Sequence, residues 1–229
     1  MLDIARPRTR VQQWLIALAL TAVAVAVAYA WLDRPIAFFA HGELRQPLFA
    51  HLTKISEWFA PVAIVVFLVL GLRGLTGRPL VKFEAVILLC SLSLVSAAAI
   101  KNQLKIIFGR TWPETWVANN PSLIRDGAYG FNFFKAGPGY ESFPSGHTAA
   151  ACAVMSVLWI VYPRWRPLYA LVVAAVAIGL IGADYHFLSD IVAGGFVGAS
   201  TGWIAVLLWE AGGPHVLRTD VGDQRSDVR

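Results

Sequence analysis

Six apolar runs, separated by short polar or basic stretches, decide what this chain can fold into. Crossing ~30 Å of hydrocarbon takes about 20 apolar residues in a helix. The runs lie at roughly 14–31, 55–72, 84–107, 147–161, 168–183 and 187–208. Backbone groups in lipid must find their hydrogen bonds within the spanning segment, so each run is expected to be a helix. None shows the period-two alternation of a membrane barrel strand. Composition agrees, because only 14% of residues are charged and 57% are hydrophobic, against roughly 25% charged in an ordinary soluble domain. The expected fold class is all-α: a polytopic membrane protein of about six transmembrane helices, forming one membrane domain over 1–229.

Basic residues set the expected orientation. Arg6, Arg8 and Arg10 precede the first run, and Arg73, Arg78 and Lys82 join the second to the third. Arg164 and Arg166 join the fourth to the fifth, and Arg218, Arg225 and Arg229 close the chain. Six spans put these segments on one side, which the positive-inside rule makes cytoplasmic. The tails 1–12 and 210–229 are therefore expected in the cytoplasm of a multi-pass cell-membrane protein. This placement accounts for most of the +5 net charge; no basic stripe with interleaved aromatics points to nucleic acid. Trp14, Trp31, Trp58, Trp159, Trp165, Trp203 and Trp209 lie near run ends, where an amphipathic indole favours the headgroup level. The arginines, apolar run and Ala28-Tyr29-Ala30 resemble a signal peptide, but the run is long for one and is expected to be retained. Cys90 and Cys152 fall inside spans without motif spacing and are expected to be inert thiols.

Two segments interrupt the pattern. Leu32–Lys54 is mixed in polarity and is expected to form a short interfacial helix. The connection 110–143 is the longest, rich in Pro, Gly, Asn and Trp, and is expected on the outer side. Long loops in compact domains are often functional.

Chemistry-bearing residues gather at three outer helix ends. Lys101 and Lys105, four apart near the end of the third run, share a helical face. The fourth run opens Phe143-Pro144-Ser145-Gly146-His147, whose small residues and free amides make a cradle for an anion at a positive dipole end. The sixth opens with His186 and Asp190, again four apart, so that the carboxylate orients the imidazole. Two imidazoles, one of them oriented, with cations and amides nearby suit phosphoryl transfer through a phosphohistidine. No His/Cys set or carboxylate cluster has metal-ligand spacing, so neither metal nor cofactor is expected. Asp184 brings negative charge close to that site and is expected to form a salt bridge with a loop residue.

Pro144-Ser145-Gly146-His147, His186-x3-Asp190 and a preceding Lys105 resemble the type 2 phosphatidic acid phosphatase (PAP2) superfamily. The resemblance implies a six-helix bundle and a metal-independent phosphatase acting on a lipid phosphate monoester or prenyl pyrophosphate at the outer interface. Carried over by position, it makes His186 the nucleophile, Asp190 its orienting partner, and His147 the general acid and then base. Ser145, Gly146 and Lys105 would hold the phosphate, and the expected partners are a phosphorylated lipid substrate and membrane lipids.

The chain departs from the family pattern at two arginines. The family's first motif runs Lys-x6-Arg-Pro, yet counting from Lys105 reaches Trp112-Pro113; the arginine expected six residues before His186 is Leu180. Arg110 is expected to replace one of these contacts and Lys101 another, with Arg125 or Lys135 as further candidates from the loop. Two other readings stay open from sequence: a non-catalytic lipid-binding or lipid-transport relative, and a lipid phosphotransferase.

Overall fold

The computed structural model describes residues 7–44, 47–77, 80–116 and 119–212. Arg6, Arg78, Arg218, Arg225 and Arg229, with most of both tails, lie outside the described residues. The chain runs through α1 (Pro7–Val27), α2 (Asp33–Phe39), α3 (Pro47–Thr53), α4 (Phe59–Leu75) and α5 (Lys82–Phe108). There follow α6 (Leu123–Asp126), α7 (Gly146–Val161), α8 (Arg166–Gly182) and α9 (Leu188–Gly212). Five helical segments are long and apolar enough to cross a membrane: Thr9–Leu44, Pro47–Leu75, Lys82–Phe108, Pro163–Gly182 and Leu188–Ala211. The sixth apolar helix, α7, has 16 residues, about 24 Å at 1.5 Å per residue. It packs on α5, α8 and α9, with Ala149, Ala151, Ala153 and Val157 all buried.

Small residues set how closely this centre packs. Gly194, Gly198 and Gly202 repeat every four residues along α9, one face of a helix. A Cβ on them would strike the Ser145 carbonyl, the Ala149 carbonyl and the Ser156 hydroxyl of α7 and its N-cap. Without an aqueous phase to drive association, close backbone approach of this kind is how membrane helices gain contact. Gly179 and Gly182 do the same on α8, meeting Leu52 and Phe49 of α3.

The stretch expected as a separate interfacial helix is instead largely a continuation of the first. Two π-turns, Ala28–Leu32 and Ala40–Leu44, carry the helix from α1 through α2 without a break. The first π-turn lies just before Pro35, whose ring would otherwise crowd the carbonyl four residues back. The result is a helix that overshoots the first expected span by more than three turns and brings Asp33 and His41 to the end of the bundle where α9 begins. Trp58, Trp159 and Trp165 are exposed near helix ends, whereas Trp31, also exposed, falls inside the extended first helix. Trp14 differs, donating its indole N–H to Ser200 Oγ (3.0 Å) and packing on Phe196 of α9.

Candidate active site

Three helix ends and the long loop build one cavity. α5 ends at Phe108, and Gly109 closes it in the left-handed region at φ 52°. A side chain at Gly109 would run into the Asn132 carbonyl, so glycine is required here for both conformation and space. α7 is capped by Ser145, whose Oγ accepts from the Thr148 N–H at 3.4 Å and from its hydroxyl at 3.2 Å. The turn Gly182–His186 carries Asp184 at φ 58° and delivers His186 just ahead of α9. The Ser145 N–H donates to the Asp190 carbonyl at 3.0 Å, locking the two helix starts together.

The cavity has a volume of about 480 Å³. Lys101, Lys105, Gly146, His147 and His186 line it. The imidazoles of His147 and His186 stand with ring centroids 6.4 Å apart. His186 is buried, with Nδ1 3.4 Å from Asp190 Oδ2, which leaves Nε2 for the cavity. Burial pushes its imidazole below the usual histidine value of 6.5, while the Asp190 hydrogen bond and charge oppose that shift. Lys101 passes directly over Gly146, where a Cβ would sit 3.2 Å from Lys101 Cε. Lys105 Nζ lies 4.0 Å from Glu141 and 5.8 Å from the centre of the Trp112 ring.

Below the polar end, Leu94 and Ala98 of α5 face Ala149 and Ala150 of α7 along an apolar floor. Trp112, Trp116 and Tyr185 form an aromatic wall. Trp112 packs on His186 at 5.2 Å, and its indole N–H donates to the Pro138 carbonyl at 2.7 Å. Ser56 and Glu57 close the side nearest α4, with Glu57 Oε1 4.0 Å from His147 Nε2.

Not every residue expected here reaches the cavity. Ser145 is fully buried as the α7 cap, with its hydroxyl engaged by Thr148. Arg110, expected as a replacement phosphate contact, lies behind Asp190 with none of its surface exposed. Its Nη1 donates to Asp190 Oδ1 and Ser189 Oγ, both at 2.5 Å, and its Nη2 to Asp33 Oδ2 at 2.7 Å. Burial works against that charge, yet Asp190 and Asp33 together raise its pKa above the ordinary arginine value. Leu180 is buried among Val176, Ala151 and Ile191. Arg125 pairs with Asp126, and Lys135 donates to the Tyr140 hydroxyl, both outside the cavity lining. Among the described residues, the cations lining the cavity are therefore Lys101 and Lys105.

Asp190 accepts from four groups: Arg110, the Ser142 hydroxyl (2.6 Å), the Phe187 N–H (3.0 Å) and His186. The motif pattern pointed to the last of these and missed Ser142, Ser189 and Asp33. Asp184 pairs with His41 Nδ1 at 2.8 Å, a partner from the extension of the first helix, and Glu114 lies 3.2 Å from the same nitrogen. These three residues also place one donor atom each within 4.8 Å of one another, a grouping invisible in their spacing along the chain.

The PAP2 superfamily model matches residues 85–213. The lipid A 1-phosphatase of Rhizobium etli is 27% identical over 85% of this chain and 83% of its own length. That of Rhizobium johnstonii is also 27% identical, over 85% of this chain and 79% of its own. In fold, the chain resembles the crystal structure of a transmembrane PAP2 type phosphatidylglycerolphosphate phosphatase from Bacillus subtilis. That likeness has a TM-score of 0.56 at 20% identity, covering 88% of this chain and 96% of the other. Since the family model spans more than half of its residues, from α5 through α9, this multi-pass membrane chain belongs to the PAP2 superfamily.

Proposed function

We propose that this chain removes a phosphate group from a membrane lipid by way of a phosphohistidine at His186. The observation carrying this reading is the pair of imidazoles, 6.4 Å apart in one cavity, of which only His186 has a buried carboxylate behind it. A binding protein has no need for two imidazoles of which one is oriented by a buried carboxylate, whereas two-step phosphoryl transfer does.

His186 Nε2 attacks phosphorus while its Nδ1–H is held by Asp190. The bond from phosphorus to the lipid oxygen breaks, and His147 gives that oxygen a proton. Lys101, Lys105 and the first amides of α7 meet the charge on the remaining phosphoryl oxygens. His147, now neutral, takes a proton from water. The resulting hydroxide attacks phosphorus, the P–N bond breaks, and inorganic phosphate leaves with His186 restored. The two lysines stand in for the two arginines of the family pattern. The apolar floor between α5 and α7 receives the start of an acyl or prenyl chain, which keeps the phosphate at the water-facing end.

The substrate class is a lipid phosphate monoester, with a glycolipid phosphate of the lipid A 1-phosphate type first among candidates. The two Rhizobium relatives, alike over 85% of the chain, support this choice. We place six spans in one membrane domain, with tails 1–12 and 210–229 in the cytoplasm and the cavity on the outer face. The basic segments around Arg73 and Arg164 support that orientation.

The test is phosphate release by the detergent-solubilised protein, with chelator present, from lipid A 1-phosphate, phosphatidylglycerophosphate, phosphatidate and a prenyl pyrophosphate. Release that is lost in His186→Ala is the expected outcome. Release that persists in the folded variant, or none from the wild type across the panel, would reject the proposal.

A further inference from the structure

Behind His186 and Asp190 lies a second carboxylate that no motif announces. Asp33 belongs to α2, the extension of the first helix, and is 1% exposed. Its Oδ2 accepts from Arg110 Nη2 at 2.7 Å and from the Ser189 hydroxyl at 2.5 Å. Its Oδ1 accepts from the Ser189 N–H at 2.9 Å. The Tyr129 hydroxyl lies 3.2 Å from Oδ2 and donates to the Tyr29 carbonyl at 2.6 Å. Four rings enclose the guanidinium: Tyr29, Tyr129, Phe131 and Phe187, at 4.4–5.4 Å from its carbon. Asp33, Arg110 and Asp190 are all buried, so water screens their charges weakly.

The balance matters because one Arg110 serves two carboxylates. With Asp190 alone it would form a neutral pair, and the carboxylate facing His186 would have spent its charge on the guanidinium. Asp33 takes the other arm of the arginine. The triad then carries one net negative charge, directed through Asp190 at the imidazole that becomes cationic when phosphorylated on Nε2 and held protonated on Nδ1. We propose that Asp33 is a positioning residue of the phosphoryl-transfer site: it neutralises Arg110, so that Asp190 presents its full charge to His186. This rests on His186 being the nucleophile.

The other charged and titratable groups around His186 are Lys105 of α5, His147 of α7 and Asp190 of α9 itself. None of them is substituted in these variants, and substrate ionisation is common to all of them. The experiment compares the pH dependence of kcat/KM for wild type, Asp33→Asn and the double variant Asp33→Asn with Arg110→Gln. Asparagine keeps the shape and removes the charge. Its expected effects are a kcat about tenfold lower, a KM within about twofold, and an acidic limb displaced to lower pH. The displacement has that sign because losing a negative charge makes His186 harder to protonate.

The double variant again carries one net negative charge, on Asp190, and should bring the acidic limb back to the wild-type position. A merely structural Asp33 would give lower yield or lower thermal stability with the limb unmoved, and that result overturns the proposal. If the single variant does not fold, the double decides alone: a wild-type limb supports the proposal and a displaced one overturns it. Retained wild-type turnover that vanishes in His186→Ala keeps the proposed function intact in either case.

Discussion

His186 carries the most demanding combination of properties in the molecule. The proposed reaction needs it neutral to attack, cationic once phosphorylated, and unable to rotate. Burial favours the neutral form, Asp190 favours the cation, and Trp112 packed on the ring limits its motion. Since burial pushes the His186 pKa below 6.5, the neutral nucleophile persists to lower pH than a free imidazole would. The acidic limb of kcat/KM, corrected for the measured ionisation of the substrate, should therefore have its midpoint below 6.5; a midpoint above that value contradicts the assignment. His147→Ala should lower kcat by about 10²–10⁴-fold. Lys105→Ala removes one of two cations over the phosphate and should cost on the order of 10²-fold. Steady-state kinetics on folded protein checks both. That His147, His186, Asp190 and Lys105 meet at one cavity was legible because each falls in a short polar motif at the end of an apolar run. Asp33 was not, since its partners Arg110 and Ser189 lie 77 and 156 residues away. An acidic residue at the end of an apolar run was the one available signal.

At the scale of elements, the site depends on how tightly α9 meets α7. His147 lies in the first turn of one of these helices and Asp190 in the first turn of the other, so the Gly194–Gly198–Gly202 face fixes the distance between His147 and the His186–Asp190 pair. Gly198→Ala should destabilise the protein by about 1–3 kcal/mol through overpacking, and should lower kcat as well. Gly195→Ala is the control, because its Cβ would meet nothing nearer than Cys152 Sγ at 3.7 Å. Its melting temperature and turnover should stay near wild type. Equal losses in the two variants would show that close approach is not what the glycines provide. The positions of the apolar runs were readable because hydrocarbon thickness dictates helix length. The fate of 32–54 was not, because a π-turn ahead of Pro35 absorbs the proline that would ordinarily stop a helix. Nor was the position of Arg110 legible: two residues from Trp112 in sequence, it enters the core while Trp112 faces the cavity.

Across the whole molecule, the bundle separates a polar catalytic end from an apolar body, and one question is which way that end faces. In a chain with Cys90 and Cys152 replaced by Ala, Lys135→Cys in the long loop should react with a membrane-impermeant thiol reagent on intact cells. Arg164→Cys, in the link between α7 and α8, should react only after permeabilisation. The reverse pattern would place the cavity in the cytoplasm. The more direct question is whether phosphate passes through the protein at all. A rapid-quench turnover with lipid labelled in its phosphate, followed by peptide mapping under alkaline conditions that preserve phosphohistidine, answers it. The account predicts transient label on the peptide containing His186 and none in His186→Ala. Turnover by wild type with no label on that peptide, together with surviving activity in His186→Ala, would contradict it.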